Sequence, residues 1–228
     1  MELKELLVKQ NNFRSECINL VASENVMSNY AKYALNSDLG SRYFFYKTYR
    51  TESKISYKYF GSETLSEILE KGNNLAQKLF DCKFSSLYPL SGHLANQTAL
   101  YSFCKPGDQI LCVDPAMGGY PGLTKENLPR GHGLKVNYIP YSHPNNIDIE
   151  STRHMLSKED YKLVILSSAH TLFPEKIKEL SEVINEVQPD ALLVSDMSHP
   201  LGLVAGGNFE NPLNHLAIQS HLTASFIP

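Results

Sequence analysis

The 228-residue sequence contains no tryptophan, no long apolar run, no large excess of charge of one sign and only four cysteines. Lysine plus arginine total 21 and aspartate plus glutamate total 24, which gives a net charge of −3. A charge so close to neutral does not favour nucleic acid or an anionic membrane surface as a main partner. No stretch approaches the roughly 20 apolar residues that a membrane-spanning helix needs. We therefore expect a protein with neither a nucleic-acid nor a membrane partner.

The spacing of the cysteines and histidines and the sequence of the N-terminus exclude further classes of protein. Cys17, Cys82, Cys104 and Cys112 lack metal-ligand or redox spacing and lie in apolar contexts, so we expect buried free thiols in a reducing compartment. The eight histidines show no zinc-binding spacing, so we expect no metal. The opening "MELKELLVKQNNF" lacks the apolar core of a secretory signal and is acidic for a transit peptide. The expected compartment is the cytoplasm, with mitochondria as the alternative.

The hydrophobic fraction of 42% is enough to build a real core. Residues 1–62 predict an N-terminal segment of short helices followed by a tyrosine-rich loop over 42–62, and long loops are often functional. Residues 63–228 predict one α/β domain. Its predicted helices are 63–81, 92–103, 148–157 and a helix that starts at Pro174 and runs to about 187; its predicted strands are 85–90, 109–114, 134–141, 162–169, 191–197 and 215–220.

The alternation of helices with continuously apolar strands predicts a mainly parallel sheet that is covered on both faces. Such sheets bind ligands at the carboxyl ends of their strands. The predicted fold is therefore three-layer α/β, and the residues that follow each strand are the candidates for function.

Three segments at strand ends could bind a ligand. "SGHLANQTA" begins at Ser91 and opens a helix, which favours a phosphate or carboxylate; the alternative is an ordinary turn capped by Ser91. "DMSH" places Asp196 after an apolar run, where a buried carboxylate needs a cation, a metal or a protonated ring nitrogen; the alternative is a helix cap at Asp196 or Ser198. "DPAMGGY" ends at Tyr120, which could stack on a flat ligand; the alternative is a glycine turn.

These segments, taken together, resemble serine hydroxymethyltransferase, a pyridoxal-phosphate enzyme with the aspartate-aminotransferase-like fold. The resemblance extends over about residues 5–225 and is carried by "INLVASEN" (18–25), "YPLSGHLAN" (88–96) and "DMSHPLGLVAGG" (196–207), with a looser match at "KYFGSE" (58–63).

The resemblance implies a role for several residues. It implies that Asp196 pairs with the pyridine nitrogen of pyridoxal phosphate, with His199 nearby. Ser91, Gly92, His93, Tyr120 and His221 fall at further cofactor-contacting positions. Ser23 falls at the position of a substrate-holding serine, and Tyr43 at that of a tyrosine that reaches the partner subunit's site.

The sequence departs from the family at positions that carry chemistry. Leu222, in "SHLT", is placed at the position of the lysine that forms the Schiff base, and neither it nor Thr223 can form an imine. Phe45 replaces a glutamate that handles protons near the substrate and folate, so folate binding is doubtful. His93 replaces a phosphate-loop serine, Tyr120 a stacking histidine and Phe60 a tyrosine. The family also continues beyond residue 228, with further strands and a small domain.

Because the lysine both tethers the cofactor and drives the chemistry, these departures predict a non-catalytic or regulatory paralogue or fragment. Pyridoxal phosphate is implied as a cofactor without a covalent bond. One alternative is a weakened enzyme that still transfers hydroxymethyl groups between glycine and serine, and another is an enzyme that uses a different site. The expected partner is a second copy or a full-length homologue, because the family is dimeric.

Overall fold

The computed structural model describes residues 2–20, 24, 26–44, 59, 61, 63–144, 146–215 and the strand backbone of 222–224. Its helices are α1 (Leu3–Ser15), α2 (Asn29–Leu35), α3 (Glu63–Phe80), α4 (Gly92–Phe103), α5 (Leu128–Gly131), α6 (Ile149–Leu156), α7 (Ile177–Val187) and α8 (Leu201–Ala205). Its strands are β1 (Gln109–Cys112), β2 (Lys135–Tyr138), β3 (Tyr141–His143), β4 (Asn146–Ile147), β5 (Leu163–Leu166), β6 (Leu192–Asp196) and β7 (Leu222–Ala224).

A five-stranded sheet in the order β2-β1-β5-β6-β7 forms the centre of the fold, and every neighbouring pair is parallel. The short strands β3 and β4 form a separate antiparallel pair. The predicted α/β class with a mainly parallel sheet is therefore confirmed.

Two hydrophobic clusters cover the two faces of this sheet. Alternate residues of β1, β5 and β6 pack on one face against α6 and α7, with Leu180 and Ile184 of α7 fully buried. The intervening residues pack on the other face against α4, through Leu100. Burial on both faces explains why these strands are continuously apolar instead of alternating. The sheet is thus the middle of three layers, as predicted.

Some predicted elements differ from the observed ones. Residues 85–90 form no strand, because within the described chain no neighbouring strand pairs with them, and an extended segment becomes a strand only through such pairing. Helix α7 begins at Ile177, so Pro174 precedes its first turn. The predicted strand 215–220 is wrong at His215, which ends a 3-10 turn, and its other residues lie outside the described chain.

The cysteines follow the prediction in part. Cys104 and Cys112 are buried free thiols, whereas Cys17 and Cys82 are free and half-buried. Burial raises the pKa of Cys104 to about 11 and that of Cys112 to about 12, so neither thiol is reactive at neutral pH.

The N-terminal helices make little contact with the sheet. No residue of α1 or α2 is buried, and large side chains such as Leu7 and Phe13 are 56% and 62% exposed. Whether residues 1–62 form a unit separate from 63–228 stays a prediction. None of the described helices is long and apolar enough to cross a membrane.

Candidate cofactor-binding site

Asp196 is the last residue of β6 and lies at the carboxyl edge of the sheet. Its Oδ2 atom accepts hydrogen bonds from Asn96 Nδ2 at 2.6 Å and from Ser167 Oγ at 3.1 Å. Its Oδ1 atom accepts from both the backbone N–H and the hydroxyl of Ser198, at 3.0 and 2.5 Å. Four donors directed at one half-buried carboxylate hold it in one orientation beside any ligand at this edge.

Asn96 brings helix α4 into the same site. Its side chain is only 1% exposed, and its amide nitrogen must face Asp196 because two oxygen acceptors would repel each other. The amide oxygen, Oδ1, is buried and has no hydrogen-bond partner among the described residues. A buried acceptor without a donor is costly, so this oxygen marks a place where a ligand or water can supply one.

Helix α4 begins directly beside Asp196. Ser91 caps it, since the Ser91 hydroxyl accepts from the Leu94 N–H at 3.2 Å. The cap leaves the N–H groups of Gly92 and His93 without an intrahelical acceptor. The capping alternative proposed for Ser91 is therefore what the structure shows, and it leaves the positive end of the helix dipole open for an anion.

Tyr120 is held against the start of α4. Its backbone N–H donates to the Ser167 carbonyl at 2.8 Å, and its hydroxyl lies 2.7 Å from Nδ1 of His93. The ring lies over Gly122, where an added Cβ would come within 2.3 Å of the ring atom Cε1. Burial and the negative charge of Asp196 raise the pKa of Tyr120, so its hydroxyl stays protonated.

The remaining predicted site residues are less closely placed. His199 is exposed in the turn after β6, and Tyr43 is 81% exposed, with its ring 6.0 Å from that of Tyr59. Ser23 and His221 lie outside the described residues. The structure therefore brings together Ser91, Gly92, His93, Tyr120 and Asp196 at one edge of the sheet.

A second cluster lies behind this edge and was not predicted from the sequence. Glu175 accepts hydrogen bonds through Oε1 from the hydroxyls of Tyr141, at 3.0 Å, and Ser168, at 2.5 Å. Burial raises the pKa of Glu175 even though both hydrogen bonds oppose the shift. Glu175 follows Pro174 in the sequence and looks like any acidic residue near the start of a helix, so nothing in the sequence pointed to this cluster.

The sequence analysis did not predict two hydrogen-bond partners of Asp196, Ser167 and Asn96, although the sequence contains a signal for Ser167. Ser167 follows β5 directly, so the strand-end rule that selected Asp196 also applies to it. Asn96 lies inside a helix, a hundred residues away in sequence, and no local pattern marks it. Among the described residues, no group of three or more histidine, cysteine or acidic side chains could hold a metal ion.

Comparison with known sequences decides the family. The sequence model of the serine hydroxymethyltransferase family matches residues 1–225. The chain belongs to this family. A serine hydroxymethyltransferase of Methanobrevibacter smithii is 31% identical over 214 residues, which are 93% of this chain and 49% of that protein. The corresponding protein of Picrophilus torridus is 34% identical, over 93% of this chain and 48% of its own length. The chain thus spans about half the length of the curated relatives it matches.

A solved structure supports the same fold. The L-threonine transaldolase of Pseudomonas fluorescens, in its internal aldimine state, matches with a TM-score of 0.81 and 25% identity. The match covers 94% of this chain and 48% of the transaldolase.

The described residues fit the pyridoxal phosphate that the family implies. Asp196 presents a carboxylate at the strand edge, and no donor to the buried Asn96 oxygen beside it occurs among the described residues. The start of α4 offers free N–H groups to a phosphate, and the Tyr120 ring offers a flat apolar wall.

The register of β7 bears on the position of the missing lysine. β7 pairs with β6 so that Ala224 is level with Asp196, and Leu222 is level with Val194, two residues before the strand edge. Ala224 is therefore the residue of β7 that is level with the ligand edge of β6. Whichever position corresponds, no lysine occurs in the sequence after Lys178.

Proposed function

We propose that this chain is a non-catalytic or regulatory member of the serine hydroxymethyltransferase family, a paralogue or fragment that holds pyridoxal phosphate without a covalent bond. The observation that carries the proposal is the absence of lysine from residues 179–228, which include both β6 and β7. Without an amine in this segment, β6 and β7 supply no partner for the family's Schiff base. This conclusion is the same whether the lysine position is Leu222 or Ala224.

The hydrogen bonds around Asp196 support retained binding. When bound, pyridoxal phosphate supplies an electron sink for reactions at the α-carbon of amino acids. In this chain Asp196 would face the ring nitrogen, and Ser167, Ser198 and Asn96 hold its carboxylate in place. The start of α4 would hold the phosphate. These groups bind and orient, and none of them replaces the amine.

The exposed N-terminal helices support association. α1 carries Leu3, Leu7 and Phe13 at 72%, 56% and 62% exposure, and α2 carries Tyr30 at 86%. An apolar surface of this kind is typical of an interface between chains. We propose that the chain pairs with itself or with a full-length homologue, whose active site it would modulate.

A second candidate function rests on the intact surroundings of Asp196. The four donors around the carboxylate favour, as this second candidate, an enzyme of the glycine hydroxymethyltransferase type with a weakened site. In such an enzyme, a lysine elsewhere in the chain or in a partner would have to supply the amine.

An absorbance titration separates the two functions. Pyridoxal phosphate that is bound without an imine keeps the spectrum of the free aldehyde, whereas an imine with lysine absorbs in the visible. Pyridoxine 5′-phosphate, which has no aldehyde, serves as a competitor that cannot react with surface lysines. We expect saturable binding of both compounds and no new visible band. A visible band that pyridoxine 5′-phosphate displaces would favour the second function.

A further inference from the structure

Two neighbouring serines at the end of β5 connect the ligand edge with the cluster behind it. Ser167 and Ser168 follow the strand directly, and both are buried, at 3% and 6% exposure. The Ser167 hydroxyl donates to Oδ2 of Asp196 at 3.1 Å. The Ser168 hydroxyl donates to Oε1 of Glu175 at 2.5 Å. Because consecutive side chains of an extended segment point to opposite faces of a sheet, a single segment holds one residue on each face.

The backbone of the same two serines holds the turn that carries Tyr120. The Ser167 carbonyl accepts from the Tyr120 N–H at 2.8 Å, and Ser168 forms an antiparallel bridge with Gly119. A displacement of this segment would therefore move two parts of the ligand edge together. These parts are the hydroxyl that donates to Asp196 and the turn that holds the Tyr120 ring.

Glu175 ties this segment to the opposite face of the sheet. Its Oε1 atom also accepts from the hydroxyl of Tyr141, the first residue of β3, at 3.0 Å. The next residue, Lys176, donates from Nζ to the carbonyl of Ile147 in β4 at 3.3 Å. The segment before α7 is thus attached to the β3–β4 pair at two points, and the Glu175 carboxyl joins this anchor to Ser168.

We infer that Glu175 is a positioning residue for the cofactor site, because it holds Ser168 and thereby fixes the Ser167 hydroxyl and the Tyr120 turn. The inference rests on the proposed function for its ligand. It goes further by assigning a role in that site to a carboxyl group on the opposite face of the sheet. Both described bonds end on Oε1, so the role requires an acceptor there and does not require a negative charge.

The first test follows the backbone amide signal of Tyr120 in the ligand-free protein by NMR. This N–H donates to the Ser167 carbonyl, and its proton signal moves upfield when that hydrogen bond lengthens. We expect an upfield shift in Glu175→Ala and in Ser168→Ala, and an almost unchanged signal in Glu175→Gln. An unchanged signal in Glu175→Ala would overturn the inference without bearing on the proposed function.

The second test measures binding of pyridoxine 5′-phosphate by calorimetry. We expect Glu175→Ala to weaken binding about fivefold, as for an effect transmitted through one layer of side chains. Glu175→Gln should bind like the unchanged protein, since its amide oxygen can accept from both hydroxyls. Ser168→Ala should lose as much as Glu175→Ala, and the double variant should lose no more than either, because the two residues act through one bond. Additive losses would contradict this coupling.

A matched pair of tyrosine variants controls for a general loss of stability. Tyr161 is buried before the start of β5, where its hydroxyl accepts from Asn137 at 2.9 Å and donates to Glu159 at 3.3 Å. Tyr161→Phe and Tyr141→Phe each remove one hydrogen-bonded hydroxyl, but only the second removes a partner of Glu175. We expect only Tyr141→Phe to weaken ligand binding and to shift the amide signal. Equal effects of the two variants would overturn the positioning role.

The outcomes separate the inference from the proposed function. If Glu175→Ala binds as tightly as the unchanged protein, or if Glu175→Gln binds as weakly as Glu175→Ala, the positioning role fails and the proposed function stands. If the unchanged protein does not bind pyridoxine 5′-phosphate, the proposed function fails, and the role of Glu175 in ligand binding fails with it. Urea unfolding of each variant confirms that binding is measured on folded protein.

Discussion

Asn96 and Asp196 form a pair in which each residue depends on the other. Asn96 is 1% exposed, and its amide nitrogen donates to the carboxylate at 2.6 Å. Replacing Asn96 with alanine removes a hydrogen bond to a charged group, so we expect the free energy of unfolding to fall by about 1–3 kcal/mol. Asn96→Asp should be worse, because it places two carboxylates in contact. Urea unfolding measures both variants, and an Asn96→Asp protein as stable as the parent would show that this pair is not formed.

Glu175 predicts a pH dependence of stability. Burial raises its pKa above the ordinary value of 4.5, so the carboxyl is more easily protonated in the folded protein than in the unfolded chain. Its contribution to stability is then complete below the unfolded pKa and is lost as the pH rises through the higher folded pKa. Glu175→Gln removes this titration. We expect the stability of the parent relative to Glu175→Gln to fall as the pH is raised from 4.5 towards neutrality, as measured by urea unfolding. A difference that does not change with pH would contradict the shift.

The position of the missing lysine can be tested by restoring it. Leu222 is level with Val194, whereas Ala224 is level with Asp196. We expect Ala224→Lys, at the position level with Asp196, to give a borohydride-reducible adduct with pyridoxal phosphate and Leu222→Lys to give less. Turnover should be slight in either variant, because Phe45, His93 and Tyr120 also differ from the family. A full adduct in Leu222→Lys alone would support the alignment drawn from the sequence, which places Leu222 at the lysine position.

At the scale of elements, the turn after β1 controls the site. Gly122 has no room for a side chain, since an added Cβ would lie 2.3 Å from Cε1 of Tyr120. Gly122→Ala should displace the Tyr120 ring, break the contact of its hydroxyl with His93 and weaken ligand binding. The matched control is Gly131→Ala at the exposed end of α5, where nothing lies within 4 Å of the new Cβ. We expect the control to bind normally. Equal ligand binding by the two variants would contradict the packing of Tyr120 on Gly122.

Local patterns predicted the elements of the core because the apolar residues that recur along each element are the ones that it buries. The apolar runs of β1, β5 and β6 and the apolar face of α7 are visible in the sequence and are buried as expected. Residues 85–90 were also predicted as a strand, but no strand lies beside them in the described chain, and a strand depends on a neighbour that a local pattern cannot show.

The candidate site was predictable only where a residue follows a strand or a motif. Asp196, Tyr120 and Ser91 follow apolar runs or open a helix, so the fold rule places them at the ligand edge. The contact of Asn96 with Asp196 joins residues 100 positions apart, and that of Tyr120 with His93 spans 27. Contacts of this length are set by the packing of helix on sheet and leave no local signal.

At the scale of the whole molecule, the exposed helices predict association. Leu7 and Phe13 of α1 are both more than half exposed and are not needed for the described core. We expect sedimentation at micromolar concentration to show a dimer, or a heterodimer when a full-length homologue is added. Leu7→Asp with Phe13→Asp should shift the protein to monomer with an unchanged midpoint of unfolding, because neither side chain packs on the sheet. Lys4→Glu, also on α1, is the control for charge. A single monomer near 25.6 kDa under all conditions would contradict the proposed pairing.

The most direct test of the central claim is peptide mass spectrometry after the protein has been incubated with pyridoxal phosphate and reduced with borohydride. The account predicts that the protein binds the cofactor, but that no lysine is labelled stoichiometrically and that labelling of surface lysines is unaffected by excess pyridoxine 5′-phosphate. Complete labelling of one lysine, blocked by pyridoxine 5′-phosphate, would contradict the account and identify the amine of an active enzyme.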